Sequence, residues 1–259
     1  MGSISSVLQY FKSQNYVDFK RTVVYHLDNK KSVIKLLNNN CIWLHEISKS
    51  LQQDRDIALL AVKKDGRNFE YLQPEFLNDR EVILTTLKSK YADYSHIAQN
   101  VDNGILNEPD IAETLLKKYM HALKYLNQYY QDNRELILKL NVINLEDMSQ
   151  RLKHDKEVVL QCVSSWGNQL QFASADLQDD SEVVIEALKC NGLALEFASE
   201  RLRSDLNIIK LAMRHTWGAV MFMSDYAKSN KEIIQNLIKN DLCCLQYASS
   251  ELQTHFMNQ

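Results

Sequence analysis

The residues whose types and spacing could do chemistry are carboxylates. Asp54 and Asp79, and then Asp155, Asp180 and Asp205, recur 25 residues apart. A regular row of acids could ligate divalent cations or supply general acid and base. Each Asp, however, stands directly before an apolar stripe, and in most copies a second acid follows two residues later. That pattern is a helix N-cap with acid in the first turn, and every helix start has orphan N–H groups that need such a partner. Capping is therefore the reading adopted for the row.

The other reactive types form no site by spacing. Cys41, Cys162, Cys190, Cys243 and Cys244 make no C-x-x-C pair, and adjacent Cys243 and Cys244 would strain the backbone if bridged. Reduced thiols are expected, with Cys162 buried because it shares a column with Ala61 and Ala187. The seven histidines, His26, His45, His96, His121, His154, His215 and His255, recur at no metal-ligand spacing. Neither a phosphate-binding loop nor a nucleophile elbow is present. No catalytic residue, metal or cofactor is expected. The competing enzyme reading needs a site assembled from sequence-distant side chains in a concave face.

The elements that position these residues follow from composition. Of 259 residues, 6 are Gly and 2 are Pro, roughly 3% together against about 12% in an average protein. So few turn formers exclude sandwiches, barrels and Gly-rich nucleotide folds, and leave an all-α chain. A formal net charge of −3 shows no Lys/Arg excess for general nucleic-acid binding, and no DNA partner is expected. No uncharged stretch is long enough to span a membrane, and the first thirty residues lack the layout of a secretory signal. The expectation is a cytoplasmic protein in the producing cell.

Cut at Asp155, Asp180, Asp205 and Asn230, the C-terminal half reads as four aligned 25-residue units; Asp54 and Asp79 open two more. Weaker copies begin near Asn29, at Glu108 after the insertion Asp102–Asn107, and at Asn133 in a form shortened by three. Residues 1–28 are read as an N-terminal cap or decayed repeat, 29–259 as the repeat array, and 102–154 as its irregular section. Apolar residues at the fourth, fifth, eighth and ninth positions, as in Val183, Val184, Ala187 and Leu188, predict an amphipathic helix of about eleven residues. Gly66, Gly167 and Gly192 at position thirteen predict a left-handed helix end. Leu195, Phe197, Ala198 and Leu202 predict a shorter second helix packed back on the first. The fold class is thus an α-solenoid of about nine 25-residue helical hairpins, curved into a concave surface.

The recurring D-x-E-V-V … A-L-x-x-x-G-x-x-L-x-F-A-S-x-x-L pattern resembles the repeats called domain of unknown function 4116, closely over 155–254 and well over 54–78. The resemblance implies an origin in protists or in intracellular bacteria that live inside them, and no activity. In those bacteria such proteins are suspected effectors, so delivery into a host cytosol follows as an expectation from the resemblance alone.

Where one copy violates its column, the scaffold does not explain the residue. Around Arg214, His215, Trp217, Met221 and Tyr226, apolar side chains replace polar ones or glycine, which predicts a protein contact patch. The alternative is local repacking with Trp217 covering a neighbour's core. A second departure crowds Tyr119, Tyr125, Tyr129 and Tyr130 with Lys117, Lys118, His121 and Lys124. It supports partner binding through Tyr119, Lys124 and Tyr129, or more weakly RNA stacking. The start Met1-Gly2-Ser3-Ile4-Ser5-Ser6 matches a myristoylation pattern with Gly2 as acceptor. A chance match or a vector remnant is the plainer reading. The functional expectation is a non-catalytic interaction scaffold that holds a host or bacterial protein; oligomeric state is open.

Overall fold

In the computed structural model, residues 27–40, 42–239 and 241–258 are described. Gly2 and nearly all of the 1–28 segment lie outside them. Nine principal helices recur among the described residues, one per predicted unit: α1 (Lys30–Asn38), α2 (Arg55–Lys64), α3 (Arg80–Lys88), α4 (Pro109–Lys118), α5 (Arg134–Leu140), α6 (Lys156–Ser165), α7 (Ser181–Cys190), α8 (Leu206–His215) and α9 (Lys231–Ile238). The described residues contain no strand. The caps are as the columns dictate: Asp54, Asp79, Asp155, Asp180 and Asp205 each accept backbone N–H groups of the first turn. The apolar stripe is fully buried, for example Val183, Val184, Ala187 and Leu188 on α7.

The second leg differs from the expected short helix. In five copies it is a six-residue 3-10 helix, as at Gly66–Tyr71 and Gly192–Phe197. A short α-helix then leads into the next cap, as at Ala175–Gln178 and Glu200–Arg203. Six residues are too few to close many i→i+4 bonds between an extended entry and an extended exit, so the tighter i→i+3 winding wins. The left-handed glycine ends are also corrected, because no described glycine has a positive φ. The residue before each, such as Asn191 (φ −149°), is extended instead.

The irregular section has local causes. Asp102–Asn107 adds one capped helical turn, Asn103–Leu106. The shortened copy loses its residues from α5, which ends after seven residues at left-handed Asn141 (φ 53°). The chain divides into two compact units, 1–126 and 127–259.

Candidate functional site

Within each unit a layer has two edges, one at the N-termini of the principal helices and one at their C-termini. The N-terminal edge is an ion-pair ladder. Lys30 Nζ reaches Asp54 at 2.6 Å, Arg55 Nε reaches Asp79 at 2.6 Å, and Arg80 reaches Glu108 at 2.7 Å and also Asp110. In the second unit Arg134 joins Asp155 at 2.6 Å and also Glu157, and Lys156 joins Asp180 at 2.7 Å and Glu182 at 2.8 Å. Neighbouring N-termini are thereby held side by side, so successive helices run parallel.

These carboxylates are already committed. The hydrogen bonds from Lys30, Arg55 and Lys156 hold Asp54, Asp79 and Asp180 below the usual carboxylate range. At Asp155 burial pushes upward, but Arg134 and the cap N–H groups together prevail. An acid whose Oδ1 caps a helix and whose Oδ2 binds a cation is accounted for by the scaffold. The two buried thiols are unsuited to attack, since burial pushes Cys162 up to about 12 and Cys244 up to about 11. Among the described residues no group of three His, Cys, Asp or Glu could hold a metal.

All the predicted contact residues but half-buried Tyr119 are exposed, and they do not form one patch. Arg214 and His215 end α8 and are exposed. Trp217 (40%) and Met221 (49%) follow on the 3-10 helix Trp217–Phe222 at the same C-terminal edge. Trp217 also packs edge-on against Tyr247 of the next layer at 6.0 Å, so covering a neighbour and facing solvent are both true of it. Tyr226 lies at the opposite edge, where its hydroxyl accepts from Asn230 Nδ2 at 3.1 Å and Asn230 caps α9. A ten-residue helix, about 15 Å of rise, separates the two edges.

The tyrosine-rich segment is split as well. Tyr119 is half-buried and stacks on Tyr125 at 6.4 Å, with Lys124 Nζ 4.9 Å from the Tyr125 ring, all in the first unit. Tyr129 belongs to the second unit, 66% exposed beside a cavity of about 560 Å³ that Asp132, Arg134 and Arg151 also line.

Reading single copies missed the feature that emerges when layers are compared. Trp166 (53% exposed), Leu193 (37%), Trp217 and Leu242 (71%) occupy positions twelve to fourteen of four consecutive copies. All sit at the junction between principal helix and 3-10 helix, on the C-terminal edge. The signal was present at Trp166, whose column holds Asp65, Lys90, Asn191, Thr216 and Asp241 in the other regular copies. Also missed was a cluster in the first unit, where Arg67 lies 4.9 Å from the Trp43 ring and 5.0 Å from that of Tyr91.

Stacked capped helices with a charge-paired edge define an α-helical repeat protein. More narrowly, the family described as a domain of unknown function (DUF4116) matches residues 29–77, 54–101, 133–178, 180–226 and 207–253, and the chain belongs to it. No curated protein and no solved structure shows detectable similarity to the chain.

Proposed function

We propose that this protein is a non-catalytic scaffold that binds another protein through the helix C-terminal edge of residues 155–254. One observation carries the reading: large apolar side chains stay exposed at that edge in four consecutive layers, Trp166, Leu193, Trp217 and Leu242, with Met221 adjoining. Trp217 also packs on Tyr247 of the next layer yet keeps 40% of its surface exposed. Contiguous apolar exposure of Trp and Met is the composition of a contact surface. Its mechanism is occupancy, in which the partner is held, masked or recruited without covalent change. The setting implied by the family resemblance makes a host protein or a second bacterial effector the partner.

The test compares wild type with a Trp166→Ala, Trp217→Ala, Met221→Ala variant of equal helicity. Proteins captured from host-cell and producer-cell lysates are identified, and each is then titrated in purified form. Loss of affinity by about thirtyfold or more, the size of one interface hot spot, is expected. Equal binding by the variant, or no partner in either lysate, would reject the proposal.

A further inference from the structure

We infer that the joint between the layer of α5 and the layer of α6 is a built-in opening point of the second unit. Residues 127–154 part there from the stack that follows, while the later layers stay closed. The inference does not rest on the binding edge proposed above.

The joints of this unit share one backbone contact and differ in their side chains. Ser149, Ser174, Ser199 and Ser224 each donate a backbone N–H to the preceding layer, at Gln131, Lys153, Gln178 and Arg203, over 2.9 to 3.2 Å. At Ser149 and Ser199 a clasp is added. Each hydroxyl donates to the carboxylate that ends the layer before, Asp132 or Asp179. An arginine two residues on closes the same carboxylate, Arg151 Nε to Asp132 at 3.0 Å and Arg201 Nε to Asp179 at 2.9 Å. Its Nη2 donates to the carbonyl oxygen of that aspartate, at 2.6 and 2.7 Å. The serine and arginine hydrogen bonds hold both carboxyls below the usual range, so the clasps are charged. Hydrogen bonds of that kind are roughly twice as strong as neutral ones. At Ser224 a simpler link remains, a hydroxyl pair with Ser204 at 2.6 Å.

The joint at Ser174 has neither. His154 stands where the clasped joints hold aspartate, and Asp176 stands in the arginine column. The His154 ring turns away, with Nδ1 2.8 Å from the carbonyl oxygen of Gln150 in its own turn. Ser174 Oγ is left buried with no hydrogen-bond partner among the described residues. A buried hydroxyl without a partner carries its full desolvation penalty, which opening to water removes.

Apolar contact is thinner at the same place. On α5 only Ile137 is buried, whereas α6 and α7 bury four residues each. Polar side chains fill the shortened end: Leu145 N–H donates to Gln169 Oε1 at 2.7 Å, and Gln161 Nε2 lies 3.4 Å from the carbonyl oxygens of Ile137 and Val142. The Arg134–Asp155 pair also crosses the joint, but it is partly exposed and such pairs contribute little. In a stack held by nearest-neighbour interfaces, the weakest interface opens first.

The experiment is native-state hydrogen exchange of the full chain, resolved by residue and corrected for intrinsic amide rates. The serine amides form a matched set, since each bonds the same carbonyl column. Ser174 is expected to exchange about tenfold or more faster than Ser199. His154→Asp with Asp176→Arg installs the clasp, and should slow Ser174 by about tenfold while leaving Ser224 unchanged. Asp179→His with Arg201→Asp copies the unclasped joint, and should speed Ser199 in the same measure; the comparison thus survives if one variant fails to fold. Equal exchange of Ser174 and Ser199 in the wild type, or a Ser174 rate unmoved by the installed clasp, would each overturn the inference.

Discussion

At the scale of the residue, the glycines are the most instructive. A Cβ on Gly192 would collide with the carbonyl oxygen of Ala212, and one on Gly167 with that of Ala187, because the backbone of the next layer passes there. Gly218, shifted by one position beside Trp217, would meet nothing within 4 Å. Gly192→Ala is therefore expected to destabilise by about 1 to 3 kcal/mol through overpacking. Gly218→Ala should be neutral, or stabilising by up to about 1 kcal/mol through the unfolded chain. Urea unfolding of both variants checks this, and equal losses would show that glycine is needed for its dihedral angle after all. The 25-residue period located these glycines from sequence. Their cause was hidden because it lies in the distance between layers and not in the residue's own backbone. Trp217 shows the complement: α9 ends two residues earlier, relative to its layer, than α7 or α8, and a large side chain finds room at the column that holds Gly66, Gly167 and Gly192 in other copies.

At the scale of the element, N-caps and buried stripes were legible, since residue type alone sets both. The inter-layer ladder was not. Its partners lie 21 to 30 residues apart, as Arg134 does from Asp155 and Arg80 from Asp110, and become neighbours only on stacking. Nor could six residues with a short apolar set declare i→i+3 over i→i+4 bonding. The ladder makes a pH-dependent prediction at Asp180. Asp180→Asn keeps a good cap, as Asn caps as well as Asp, but removes the ion pair with Lys156. The loss at neutral pH should be up to about 1 kcal/mol, as for other partly exposed pairs. The Lys156 hydrogen bond lowers the folded-state pKa of Asp180 from an ordinary value of 3.8. Its contribution is therefore fully present above that value and disappears as pH falls through the folded one. Unfolding curves of wild type and variant should differ near pH 7 and converge in acid. A difference that persists in acid would place the effect in the cap and not in the ion pair.

At the scale of the whole molecule, repetition means that a layer recognises only its neighbours, so stability runs as a sum of layers and interfaces. The second unit allows a strict test, because consecutive layers present nearly interchangeable contacts. Ser174, Ser199, Ser224 and Ser249 each donate a backbone N–H to the preceding layer, at Lys153, Gln178, Arg203 and Lys228, over 2.8 to 3.2 Å. Deleting one whole period, Asp180–Ser204, would bring Ser224 opposite Gln178 and Lys156 opposite the Asp205 cap. Gly167 would pass from the Ala187 carbonyl to that of Ala212, an alanine in the same column. The face of α6, Val158, Val159, Cys162 and Val163, would meet Ile208, Ile209 and Ala212 in place of Val183, Val184, Ala187 and Leu188. Every cap, close approach and apolar column is thus refilled by a residue of the same kind. The deletion is expected to keep mean residue ellipticity and a cooperative melt, at lower stability for one lost interface. Deleting Glu182–Leu193, about half a period, should abolish both, because it would set a helix stripe against a 3-10 segment. If circular dichroism found the two deletions equally unfolded, long-range contacts beyond nearest layers would have to hold the array together.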